Sequence, residues 1–137
     1  MTTLYTFNCP VDSSNCPDGA QINDPLVQGL DGNFYGATLL GGANYSGVLS
    51  DQGGGTVFKV TPGGAFTTLY NFCSQSDCTD GYLPSAPVEA RDGNFYGVTY
   101  YGGVYGGGTV YRISSVGTFA TIYNFCSQDA CTDGGGP

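Results

Sequence analysis

The hexapeptide DGNFYG stands at residues 31–36 and again, unchanged, at residues 92–97, an offset of 61 positions. Other strings recur around it. GGGTVFKV (53–60) returns as GGGTVYRI (106–113), and CSQSDCTDG (73–81) as CSQDACTDG (126–134), each 53 positions on. LYTF begins at Leu4, LYNF at Leu69 and IYNF at Ile122, at intervals of 65 and 53. Self-similarity at such a period marks a solenoid, a propeller or an array.

Each period reads as four short strands. In the first unit they are 25–30, 34–40, 56–61 and 65–72; in the second, 87–91, 95–101, 109–114 and 118–125. These segments are rich in Val, Ile, Thr, Tyr and Phe, and Gly, Asp, Asn or Pro separates them. No segment keeps a 3.6-residue apolar period over helical length. Asp-Gly-Asn between two strands signals a tight turn, because Gly and Asn tolerate left-handed backbone, so DGNFYG closes the first hairpin of each unit. The expected fold is all-β, with four-stranded antiparallel units resembling β-propeller blades. The chain divides into a leading strand with a cysteine loop (1–24), two units (25–72, and 73–125 with its preceding loop) and the start of a further repeat (126–137).

The stretch GGGTVFKVTPGGAFTTLYNF (53–72), continued by DGYLPSAPVEARDGNFYGVTYYGG (80–103), resembles the GloVer-type tandem repeat of secreted bacterial proteins. The resemblance runs along nearly the whole chain and is specific in GTVF/Y, LYNF and DGNFYG. It implies an extracellular or cell-surface, propeller-like repeat and assigns no activity.

Composition removes several function classes. With three basic residues (Lys59, Arg91, Arg112) and a net charge of −8, the surface does not suit a phosphate backbone or an anionic membrane. No run of apolar residues is long enough to span a bilayer as a helix. The opening MTTL has neither a basic nor an apolar leader region, so no signal peptide is expected here. The chain has no histidine, which excludes a Ser-His-Asp triad, a Cys-His pair and any His-ligated metal. The GGG runs at Gly53, Gly106 and Gly134 lack the Lys-Ser/Thr and the helix of a phosphate loop. No enzyme is expected.

Six cysteines form three close pairs in polar loops: Cys9 with Cys16, Cys73 with Cys78, and Cys126 with Cys131. An even count in local pairs points to disulfides and an oxidising compartment. The rival reading is zinc, for which two loops would have to meet to supply four ligands. As disulfides, each closes a short loop and contributes roughly 2 kcal/mol, enough to stiffen loops.

Length differences between the units single out one end. Leu4 to Asp31 spans 27 positions where Leu69 to Asp92 spans 23, and Asp31 to Gly55 spans 24 where Asp92 to Gly108 spans 16. In an up-and-down blade these variable connections emerge together, and such loops carry function. That end holds the cysteine loops and the Gly/Tyr loops 41–55 and 102–108. Tyr45, Asp51, Tyr101 and Tyr105 are the ligand-binding candidates, a surface suited to a glycan or a protein. Calcium is conceivable through Asp12, Asp18, Asp51, Asp77, Asp80, Asp129 and Asp133, although no ligand spacing is recognisable.

The leading strand expected at 2–7 would leave an unpaired edge, and the closing CTDGGGP matches the CTDGYLP that precedes the second unit. Two blades do not close a propeller. The sequence therefore predicts either a stretch of a longer array or copies joined head to tail into a ring or filament.

Overall fold

A computed structural model of the chain describes residues 1–9, 16–44 and 52–137. Nine strands account for nearly all of its regular structure: β1 Val27–Gln28, β2 Phe34–Thr38, β3 Thr56–Val60, β4 Phe66–Asn71, β5 Tyr82–Pro84, β6 Val88–Glu89, β7 Phe95–Tyr101, β8 Thr109–Ile113 and β9 Phe119–Asn124. The first sheet is an antiparallel meander in the order β1-β2-β3-β4. The second has β7, β8 and β9 in the same arrangement, with β5 and β6 both on the free side of β7. The fold is all-β and antiparallel, as the sequence predicts.

The hairpin turns explain the recurring hexapeptide. Gly29 N–H donates to Asn33 C=O (2.9 Å) and Gly32 N–H to Gly29 C=O (2.9 Å), which closes a three-residue loop. Gly32 and Gly93 take the left-handed conformation at φ 81° and 77°, while Asn33 and Asn94 do not. The asparagines serve otherwise. Asp31 accepts from Asn33 N–H (3.0 Å), Asn33 Nδ2 (2.8 Å) and the Tyr35 hydroxyl (2.7 Å). Asp92 accepts from Asn94 N–H (3.0 Å), Asn94 Nδ2 (3.0 Å) and the Tyr96 hydroxyl (2.8 Å). Asp, Gly, Asn and Tyr of DGNFYG thus form one closed hydrogen-bond set, built twice.

Strand ends differ from the sequence reading for identifiable reasons. The strands expected at 25–30 and 87–91 shrink to two residues each, because the turns take Leu30 and Arg91, and Pro25 and Pro87 have no N–H to pair. The strand β5 was not expected. It pairs Tyr82 with Tyr101 and Pro84 with Thr99, and its first-unit counterpart is the bridge between Ala20 and Leu40. The leading strand expected at residues 2–7 is absent: residues 1–9 carry no strand. They pair with no described strand, and side chains hold the segment instead.

The core lies where the two sheets face each other. Tyr35, Val57, Phe72, Phe95, Tyr111 and Ile113 are buried there, with Leu69, Tyr70 and Phe119 against them. Tyr35 stacks on Phe95 (centroids 3.9 Å apart, 29° between planes) and Tyr70 on Phe119 (3.7 Å, 4°). The Phe72 ring stands edge-on to Tyr111 (5.2 Å, 65°). Burial pushes the Tyr111 hydroxyl to a strongly raised pKa, and it donates to Ser85 C=O (2.8 Å). Buried threonine pairs close the strand ends, Thr38 with Thr56 (2.8 Å) and Thr99 with Thr109 (2.9 Å).

This arrangement sets a clear contrast. Phe72→Ala is expected to destabilise the protein by about 3–5 kcal/mol, the usual cost of emptying a buried aromatic site. Tyr105→Ala, at an exposed position, is expected to stay within about 0.5 kcal/mol of wild type. Urea denaturation followed by circular dichroism measures both.

Candidate functional site

The end of the molecule opposite the tight turns carries the cysteine loops. All three expected pairs are disulfides, with Cα atoms 4.5 Å apart in Cys9–Cys16, 4.1 Å in Cys73–Cys78 and 4.0 Å in Cys126–Cys131. No zinc site is formed from them. The two later loops are superposable in kind: each contains a single 3-10 turn, Ser76–Cys78 or Asp129–Cys131. In each, both cysteines and one residue between them, Asp77 or Ala130, have left-handed backbone.

An aspartate closes each of the two later loops onto the strand before it, and the first loop onto the leading segment. The Tyr70 hydroxyl donates to Asp80 Oδ2 (2.8 Å), which also accepts from Ser74 N–H (2.9 Å) and the Ser74 hydroxyl (2.8 Å). Tyr123 and Ser127 make the same bonds to Asp133, at 2.7, 3.0 and 2.8 Å. In the leading copy the Tyr5 hydroxyl and Asn8 N–H donate to Asp18 Oδ2 at 2.6 and 2.8 Å. Asp80 is fully buried, so these donors replace its lost hydration. Hydrogen bonds from Tyr123, and then from Ser127, hold the Asp133 carboxyl well below the usual range. The bond to Asp18 pushes the Tyr5 hydroxyl up to about 12. These three clasps escaped the sequence reading, although the interval from Tyr70 to Asp80 and from Tyr123 to Asp133 is ten residues in both.

The acids proposed as calcium ligands are therefore otherwise engaged at Asp18, Asp80 and Asp133. Among the described residues no three Asp, Glu or Cys side chains converge to hold a metal. Asp12, and the candidates Tyr45 and Asp51, lie outside the described residues. Tyr101 and Tyr105 are half-exposed, at 50% and 57%. The structure brings Tyr101 against Tyr82 (5.6 Å, 25°), a partner the sequence did not suggest. Tyr105 stands in the turn closed by Gly106 N–H on Gly103 C=O (3.2 Å).

The larger apolar feature lies on a sheet face. The rings of Tyr5 and Phe66 stack (4.0 Å, 10°), and Phe7 meets Phe58 edge-on (5.3 Å, 74°). Beneath the segment is a cavity of about 250 Å³ lined by Leu4, Tyr5, Phe7, Ile22, Leu26, Phe58, Val60 and Phe66. No titratable side chain other than Tyr5 faces it, so it offers contact area and no chemistry.

A family model described as the Gloeobacter/Verrucomicrobia repeat matches residues 1–137. The chain belongs to this repeat family. The match bears out the resemblance carried by GTVF/Y, LYNF and DGNFYG. Comparison with curated proteins and with solved structures gives no match.

The carboxylate clasps make stability pH-dependent. Asp92 and Asp133 have folded pKa values below the unfolded value of about 3.9. For Asp92 the main cause is the Asn94 side chain, followed by the Asn94 N–H. At Asp31 burial acts upward, but bonds from Tyr35 and Asn33 outweigh it and the net shift is down. A depressed carboxylate stabilises the fold above its unfolded pKa, and that contribution fades as pH falls towards the folded value. The melting temperature should be flat between about pH 7 and 5 and fall below about pH 4. Asp133→Asn should lower it at neutral pH and flatten the acid limb; an unchanged acid limb would show that the clasp does not titrate with unfolding.

Proposed function

We propose that this protein is a non-enzymatic, extracellular structural repeat whose units are propeller-like blades and whose partner is another copy of itself, joined head to tail. One observation carries the reading: the surface that joins its two sheets is repeated on the outer face of the second sheet. Tyr35, Val57 and Phe72 are at most 0% exposed in the joint, whereas their counterparts Tyr96, Val110 and Phe125 are only half-buried. Ile122 and Tyr123, the counterparts of Leu69 and Tyr70, are 48% and 38% exposed. The opposite face of the first sheet presents Phe58, Val60 and Phe66 at the positions of Tyr111, Ile113 and Phe119, the receiving side of the internal joint.

A heterologous contact of this kind gives a ring if the rotation closes and a filament if it does not. Closed propellers take about four to eight blades. Three short-range disulfides in a small all-β chain fit an oxidising, extracellular setting. Among the described residues no helix is long and apolar enough to cross a membrane. The chain has no histidine to serve as the base of a Ser-His-Asp triad or a Cys-His pair, which supports a non-enzymatic reading.

A second reading, glycan or protein binding at the disulfide end, is favoured by the half-exposed Tyr82 and Tyr101 pair. A glycan array compared between wild type and Tyr101→Ala tests it; binding unaffected by the change would end that idea.

The structural reading is tested by light scattering on the non-reduced protein over a concentration series. The expected result is a particle heavier than the 14.2 kDa monomer, growing with concentration. Ile122→Asp, a charge set into the outer face, should return it to 14.2 kDa. A wild type that stays at that mass throughout would refute the reading.

A further inference from the structure

The segment at residues 4–7 sits on the first sheet as residues 69–72 sit on the second. Tyr5 stacks on Phe66 at 4.0 Å and 10°, Tyr70 on Phe119 at 3.7 Å and 4°. Phe7 meets Phe58 and Phe66 edge-on at 5.3 Å each; Phe72 meets Tyr111 and Phe119 edge-on at 5.2 and 5.6 Å. Even the backbone approach is copied. A Cβ on Gly64 would lie 2.6 Å from Leu4 O, and one on Gly117 would lie 2.9 Å from Leu69 O. The third copy, residues 122–125, keeps the same internal shape: Tyr123 and Phe125 stand at 5.3 Å and 78°, as Tyr70 and Phe72 do at 5.1 Å and 81°.

The occupants differ in how they are held. Residues 66–71 belong to β4, laddered along its length to β3. Residues 1–9 have no ladder with any described residue; their ties are the aromatic contacts, the bonds of Tyr5 and Asn8 to Asp18, and the Cys9–Cys16 disulfide. They also cover less. On the second sheet the seat is filled by a whole sheet, including Tyr35 from β2 and Val57 from β3. On the first, one segment leaves the 250 Å³ cavity below it, with Ile22 and Leu26 each 43% exposed.

We propose that residues 4–7 are a removable cap on the first sheet, and that the partner which displaces them is the second sheet of another copy, led by residues 122–125. The inference rests on the head-to-tail reading above and adds a regulator to it. The cap occupies the seat with the contacts of one short segment, and the face of a five-stranded sheet offers more. Assembly then requires the cap to leave, which raises the concentration at which copies join. Cys16 remains in place through this exchange, because its carbonyl accepts from Gly19 N–H (2.9 Å) and Gly42 N–H (2.8 Å). The freed segment stays tethered by Cys9.

The test is sedimentation velocity on the intact chain over a concentration series, comparing wild type with the double variant Tyr5→Ala/Phe7→Ala. The variant loses the cap's stacking and leaves the seat and the outer face untouched. It should assemble at a concentration about tenfold lower than wild type. Adding Ile122→Asp should abolish assembly in both. Should the double variant lose its sheet signal by circular dichroism, a peptide of residues 1–9 with Cys9→Ser, titrated into assembled wild type, should dissolve it. Assembly of the double variant at the same or a higher concentration, or assemblies indifferent to the peptide, would overturn the cap while leaving the head-to-tail reading intact. A wild type and a double variant that both remain monomeric would overturn the two together.

Discussion

The contact on which the structure depends is the stacking of Tyr70 on Phe119, with Tyr35 on Phe95 beside it. Neither sheet has a second layer of its own, and small β-units bury too little surface to stand alone. Flat aromatic plates solve this by presenting large apolar area with few rotatable bonds. Each such pair contributes about 0.5–1.5 kcal/mol beyond its burial. The joint also fixes where glycine is needed: the turn at Gly117 (φ 92°) lies against Leu69 C=O, and a side chain there would push the sheets apart.

The rest of the fold keeps the plates in position with carboxylates. Eleven acids face only three basic residues, so most cannot find an ion partner. Asp31 and Asp92 bind the turns at one end, and Asp18, Asp80 and Asp133 bind the cysteine loops at the other. In each of the five, a tyrosine hydroxyl is among the donors, from a strand in four of them and from the leading segment at Asp18. The tyrosines therefore act twice in several positions: Tyr5, Tyr35 and Tyr70 stack through the ring and anchor an aspartate through the hydroxyl. This explains how an acidic chain without salt-bridge partners satisfies buried carboxylates such as Asp80.

Much of this was legible from repetition. The four-strand units, the turns and the three cysteine pairings follow from aligned strings, because each is a local pattern with its own turn chemistry. The strand β5 was not legible: YLP is short, contains Pro84 and pairs only with the far half of β7. The leading segment was misread as a strand because LYTF matches LYNF, yet pairing depends on a neighbour's edge and not on the residues themselves. At the loop end, Tyr101 was identified but Tyr82 was not, since stacking across strands depends on register. The Asp clasps were not legible, because a sequence does not reveal that a distant tyrosine already occupies the carboxylate.

The two-residue edges β1 and β6 have one more effect. Long open edges invite strand-to-strand addition, the route to cross-β aggregates. Here that side is β1 alone in the first sheet and the two short pieces β5 and β6 in the second, and β1 and β6 are each followed at once by a turn whose backbone is internally bonded. Such a stub gives an incoming chain too few ladder bonds to nucleate on. Strand addition is thereby discouraged at this side of each sheet, whereas the six-residue strands β4 and β9 form the opposite side.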